Sequence, residues 1–156
     1  VLTSDDPMFF AVIDKRTNRV EGRQTLMRID PTNGVIETGN IHWGANISRS
    51  PVTTEAFFLF ADHVFETLGY RRFEWKCNNK NGPSKRAAER YGMTFEGVFR
   101  QALVVKGQNR DTAWYSILDH EWPRLKQAFQ AWLSPDNFDE TGRQIKQLSA
   151  FREERK

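Results

Sequence analysis

Three short stretches hold the side chains with the greatest capacity for chemistry. Residues 47–55, ISRSPVTTE, gather Ser48, Arg49, Ser50, Thr53 and Thr54 around Pro51. A helix beginning there would offer free N–H groups, a positive dipole end, hydroxyls and one guanidinium to a phosphate. An ordinary capped helix start would use the same residues. Residues 34–44, GVIETGNIHWG, carry Glu37 and His42. Either could take a proton from an attacking group. Against that stand a solvated strand residue or structural ion pair for Glu37, and packing for His42. Asn81-x-x-Ser84 is the third stretch. By residue type alone it is a cap pair for a short helix.

Composition narrows the alternatives. One domain with a sizeable core is expected from 156 residues, and the 12 Phe and 5 Trp supply most of its large side chains. The net charge is +3, from 23 basic and 20 acidic residues, and Arg71, Arg72, Lys85, Arg86 and Arg90 form no stripe. Nucleic acid is therefore not expected as a partner, although a local basic site for a polyanion is allowed. Cys77 is the single cysteine, which excludes a disulfide framework and indicates a reducing, cytoplasmic setting. No run approaches the ~20 apolar residues of a membrane span, and no signal peptide is visible, so the sequon at Asn46 reads as an accident. No G-x-G-x-x-G, G-x-x-x-x-G-K-[ST] or G-x-S-x-G occurs. Three scattered histidines and one cysteine complete no metal pattern.

The elements that must position these residues follow from periodicity. Residues 7–13 are a short apolar run, 14–18 a polar turn, and 20–29 a loosely alternating strand. Asp30-Pro-Thr-Asn-Gly34 predicts a hairpin into a strand over Val35–Trp43, in which Gly39 and Gly44 mark a bulge or a close approach. Ser50-Pro51 predicts a helix start, and Phe57, Phe60, Ala61, Val64, Phe65 and Leu68 predict one buried stripe closed by Gly69. Residues 72–76 alternate Phe73 and Trp75 with charge, the mark of a half-buried strand. Strand, helix and strand make one βαβ unit, with parallel strands and a right-handed crossover. A short helix follows from Pro83 to Gly92. Residues 102–106 and 112–118 then predict a hairpin around residues 107–109. Trp122, Leu125, Phe129, Trp132 and Leu133 give a closing helix stopped at Ser134-Pro135. Ile145, Leu148 and Phe151 sit at helical spacing in a tail that docks weakly or frays.

Asn81-x-x-Ser84 followed by AAERYGM, then Phe95-Glu96-Gly97-Val98-Phe99-Arg100, resembles the second half of acetyl-CoA-dependent N-acetyltransferases of the GNAT superfamily. The likeness is greatest to the RimJ/RimL-like branch, which modifies N-terminal amines of ribosomal proteins. It covers residues 7–133 or so and is strengthened by flanking segments in matching order. The resemblance implies an α/β (α+β) fold: a mixed, mostly antiparallel sheet, a splayed central parallel strand pair and helices on both faces. Residues 1–135 would form the domain, with the family's N-terminal strand and helices absent, and residues 136–156 a tail.

The resemblance also implies roles. Glu37 matches a strand position where many members place the base, with His42 as runner-up. A further glutamate of the branch corresponds to Leu103 and is lost. Asn81 would contact the pantetheine arm, and Ser84 would lie near the thiol. Main-chain groups of Ile41, His42 and Trp43 would hold the oxyanion. The family's pyrophosphate loop falls on residues 48–53, but Ser48, Pro51 and Thr53 replace its Gln/Arg and two glycines, and Pro51 has no N–H. Arg86 or Arg90 could serve the 3′-phosphate, although a solvated helix face accounts for both. Glu96 and Asp111 read as structural, and Tyr115 as core. The implied reaction is acetyl transfer to a primary amine, a protein N-terminus or a small molecule, with a homodimer left open. The alternative is a degenerate CoA-binding module without turnover.

Overall fold

A computed structural model describes residues 4–153, so the outermost three residues of the expected domain and of its tail lie outside it. Six strands form one sheet: β1 (Met8–Asp14), β2 (Arg19–Asp30), β3 (Val35–Trp43), β4 (Arg72–Asn78), β5 (Thr94–Val105) and β6 (Gln108–Leu118). Their spatial order is β1-β2-β3-β4-β6-β5, and only β3 and β4 are parallel. The helices are α1 (Pro51–Asp62), α2 (Gly82–Arg90), α3 (Trp122–Leu133) and α4 (Leu148–Glu153).

Each connection has a local cause. The Asp30 carboxylate accepts the Asn33 N–H at 3.0 Å and closes the β2–β3 hairpin turn. The β5–β6 hairpin turns on Lys106 and Gly107, both at positive φ (51° and 73°), rather than on residues 107–109. Two successive left-handed residues are what a tight two-residue hairpin requires. Its strands are longer than expected, since β5 is continuous from Thr94 to Val105 and β6 starts at Gln108.

α1 begins at Pro51 as its sequence predicts, but it ends as an α-helix at Asp62 and continues as one π turn, His63–Thr67. The wider turn rotates the residues after it about the helix axis. Leu68, expected on the buried stripe, is therefore 40% exposed, while Phe57, Ala61 and Val64 are buried. In the tail, Leu148 is buried against the core and Phe151 packs on it, whereas Ile145 is 65% exposed.

The core lies between one sheet face and the helices. Leu26, Ile36, Phe73, Trp75, Ala113, Tyr115 and Ile117 meet Phe57, Ala88, Tyr91, Trp122 and Phe129. Phe57 is central, stacked on Tyr91 at 4.2 Å and within 6.1 Å of Phe73, Trp75 and Phe129. The resemblance implies helices on both faces; among the described residues they pack on this one. The opposite face of β4 carries Arg72, Glu74 and Lys76, and its side chains cover one another through ion pairs.

Candidate functional site

The β3–β4 ladder holds four residue pairs, from Val35↔Arg72 to Thr38↔Trp75. Beyond them β3 runs on to Trp43 and β4 to Asn78 without pairing, so the two strands part. β3 stays bound to β2 on its other edge through Arg23↔His42 and Gly22↔Trp43. Residues 39–43 thus present an unpaired backbone edge toward the gap.

A bulge sits at the start of that edge. Asn40 and Ile41 of β3 lie opposite Gln24 alone, and Asn40 has φ 47°. The extra residue reverses which face the following side chains occupy. Glu37 and Gly39 precede it, on the face without helices. Ile41 and Trp43 follow it, packed toward the helices, with Trp43 edge-on to Tyr91 at 6.3 Å. His42 is exposed on the helix-free side. Gly39 has a steric reason: a Cβ there would lie 2.6 Å from Met27 Sδ.

The gap opens beside the mouth of α1. Ser50 occupies the N-cap position with Pro51 in the first turn, yet its hydroxyl caps nothing and donates to Ile47 O at 2.6 Å. The first-turn N–H groups of Val52, Thr53 and Thr54 have no partner within the helix, as at any helix start. Ser48 and Arg49 are exposed, and Arg49 holds φ 62°. Thr53 and Thr54 are buried. The Thr53 hydroxyl donates to Ser50 O at 3.0 Å, and Thr54 accepts from Arg90 at 2.9 Å.

The sequence puts Arg90 on a solvated helix face. The structure instead sends it from the end of α2 to the first turn of α1, where it lies 4.9 Å over the Trp132 ring. Burial lowers its proton affinity, and among the described residues no carboxylate pairs with it. Its guanidinium also lies 5.4 Å over the ring of its buried neighbour Tyr91. Trp43 Nε1 is also buried and without a partner among the described residues. A half-buried cation, an unsatisfied indole donor, open helix N–H groups and a free strand edge fit a phosphate-bearing, amide-rich ligand. Arg86 is exposed and contributes nothing comparable.

Across the gap, Asn81 caps α2 by accepting the Ser84 N–H at 3.2 Å. Ser84 Oγ accepts from Trp75 Nε1 at 3.0 Å. It lies beside Cys77, whose thiol is pushed up by burial while Ser84 opposes the shift.

Glu37 is buried and paired. Its Oε2 meets Arg28 Nη1 at 2.5 Å and Lys76 Nζ at 2.9 Å. Lys76 also holds Glu74 at 2.7 Å, and Arg72 joins Glu74 to Glu96. Glu96 and Asp111 are structural: Glu96 accepts from Arg72 and Ser116, and Asp111 accepts the Gln101 N–H at 2.8 Å where β5 bulges. Tyr115 is core and donates to Glu89 at 3.1 Å.

Residues 2–94 match the family model described as an acetyltransferase (GNAT) domain. The chain belongs to the GNAT acetyltransferase family. A GCN5-related N-acetyltransferase from Brucella melitensis is 67% identical, with a TM-score of 0.95 over 96% of this chain and 68% of that one. A GNAT-family structure from Chromobacterium violaceum is 39% identical, with a TM-score of 0.74 over 78% of this chain and 61% of its own. The N-acetyltransferase p20 of Bacillus licheniformis is 30% identical over 72% of this chain and 63% of its own length. A protein named for ribosomal N-acetylation, YdaF of Bacillus subtilis, is 30% identical over 65% of this chain and 55% of its own. The chain thus spans less than two thirds of either Bacillus relative, while the GNAT fold, with its mixed six-stranded sheet, is shared at high similarity. Among the described residues no helix is long and apolar enough to cross a membrane, and no cluster of His, Cys, Asp and Glu suits a metal.

Proposed function

We propose that this GNAT chain transfers acetyl from acetyl-CoA to a primary amine, a protein N-terminus or a small-molecule amine, by direct attack in a ternary complex. The observation that carries the reading is the β3–β4 ladder that stops after four pairs beside an open helix mouth. Acetyl-CoA supplies the activated acyl carbon. Ser48, Arg49, Ser50, Thr53 and Thr54 at the mouth of α1 face its phosphates, Asn81 its pantetheine arm, and Arg90, better than Arg86, its 3′-phosphate. Backbone groups of Ile41, His42 and Trp43 stabilise charge on the thioester oxygen. As the N–C bond forms and the C–S bond breaks, the amine proton passes to Glu37. Ser84, whose acceptor side is taken by Trp75, keeps its own proton for the departing thiolate.

The name of YdaF and the RimJ/RimL-like motif support an N-terminal α-amine as acceptor. An α-amine titrates near ~8 and a lysine near ~10.4, so the former asks less of a base. The lone, buried Cys77 suits a cytoplasmic setting.

One observation favours the degenerate reading: Pro51 lacks an N–H, while Ser48 N and Ser50 N already bond to Gly44 O (3.0 Å) and Ile47 O (3.1 Å). Thiol release from acetyl-CoA over a panel of amines separates the two. Release with at least one amine is expected; saturable acetyl-CoA binding with no release for any amine would leave only the module. Glu37→Gln with full kcat at every pH would exclude Glu37 as base.

A further inference from the structure

The ion pair between Glu37 and Lys76 crosses the sheet at the level where β3 and β4 separate, one residue past the last paired position of β4. Glu37 is still within the ladder, opposite Glu74, while Lys76 lies just past its end, so the ion pair spans the point where backbone pairing stops. Both are nearly inaccessible, with the Lys76 side chain 11% and that of Glu37 4% exposed. An ammonium this well covered loses hydration and needs strong local compensation. Lys76 obtains it from Glu37 at 2.9 Å, Glu74 at 2.7 Å and the Trp114 ring, 3.8 Å below the ammonium.

The pairing is lopsided in a useful way. Both cations, Lys76 and Arg28, bind Glu37 Oε2, and no hydrogen-bond partner of Oε1 occurs among the described residues. Oε1 points toward Gly39, where even a Cβ would approach it to 3.5 Å. The charged groups facing Glu37 come from β2 (Arg28) and β4 (Glu74 and Lys76), with Arg72 and Glu96 of β5 farther along the same face.

We propose that Lys76 is a positioning residue for Glu37, fixing Oε2 so that Oε1 alone accepts the proton of an amine arriving over Gly39. The inference rests on the base assignment for Glu37 and adds a residue that touches neither reactant. In the step it serves, the amine lone pair bonds to the acyl carbon, the C–S pair leaves on the thiolate, and the N–H proton goes to Oε1. Lys76 exchanges no proton.

The test is thiol release from acetyl-CoA with the dipeptide Ser-Ala as amine probe, comparing Lys76→Met, Lys76→Arg, Glu37→Gln and the Lys76→Met/Glu37→Gln double variant. Lys76→Gln replaces Lys76→Met should the latter not fold. The expected result is a fall of about tenfold in kcat for Lys76→Met with the acetyl-CoA KM unchanged, since an interaction felt only during transfer moves kcat alone. Lys76→Arg recovers most of the loss, and in the Glu37→Gln background Lys76→Met changes kcat less than twofold. An equal loss with and without the Glu37 carboxylate, or a change confined to KM, overturns the proposal and leaves a structural ion pair. Full activity of Glu37→Gln overturns the base assignment first and this inference with it. Absence of release by the unsubstituted chain does the same.

Discussion

β4 has two faces of opposite construction, one buried and the other largely covered. Phe73, Trp75 and Cys77 are buried, the first two against the Phe57 ring of α1 and Trp75 also against Tyr91, which follows α2. Arg72, Glu74 and Lys76, one residue out of phase, meet charged partners from β3 and β5, with no helix over them among the described residues. The first face is fixed by shape, because close-packed rings tolerate little change of volume. The second is fixed by charge balance, because each ion loses hydration and depends on its partners. The apolar face makes a scaffold. The charged face keeps titratable groups in place at the gap, where an apolar surface could hold none.

The largest effect should come from breaking the apolar face. Phe57→Ala removes the ring at its centre and is expected to cost about 3–5 kcal/mol in denaturant unfolding. Glu74→Gln breaks the charged face by leaving Arg72 and Lys76 short of a carboxylate. A loss of about 3 kcal/mol is expected by the same measurement. A loss under about 1 kcal/mol would mean that water, not Glu74, satisfies those cations.

Changes of pH should sharpen the contrast, since the faces respond at opposite ends of the scale. On the apolar face, burial and then the Glu89 carboxylate push the Tyr115 hydroxyl up to about 12. Its folded value lies above the unfolded ~10, so its contribution is complete below pH ~10 and fades as pH rises toward 12. Tyr115→Phe should flatten that alkaline limb in a thermal-melt series. On the charged face, the hydrogen bond from Arg72 lowers the Glu96 carboxyl, helped by Ser116 and opposed by burial. Its contribution is present above the usual ~4.3 of glutamate and is lost as pH falls through the lower folded value. Glu96→Gln should therefore reduce the Tm near neutrality slightly and make its acid dependence shallower. This is the smallest of the predicted effects.

Much of the architecture was legible in the chain. Asp30 to Gly34, Ser50-Pro51 and Gly92 act through local backbone preferences, and each stands at the boundary its residue types predict. The alternation of Phe73 and Trp75 finds β4 correctly but implies that Glu74 faces water. Its two cations, Arg72 and Lys76, are its neighbours on the same strand face; what periodicity does not carry are the partners from other strands, Glu37, Glu96 and Trp114, that cover those cations in turn. Leu68 departs from its expected place because a π turn leaves no mark in a hydrophobic stripe. Arg90 departs because a charged helix residue ordinarily points outward; its contact with Thr54 spans 36 residues of chain. The bulge at Asn40 has a partial signal in the adjacent Gly39, which marks some irregularity without saying which side chains change face.

That bulge has a consequence for how one strand can serve two reactants. Counting from Glu37, an unbroken strand would send Ile41 and Trp43 to the same side as the carboxylate. With one residue added, a single β3 turns Glu37 and Gly39 to one face and Ile41 and Trp43 to the other, which in the proposed reaction would serve the acceptor before Asn40 and the nucleotide tail after it. Deleting Asn40 would preserve every nearby side chain yet deliver the indole of Trp43 to the wrong compartment, so the length of this strand, as much as its composition, is part of the enzyme's design.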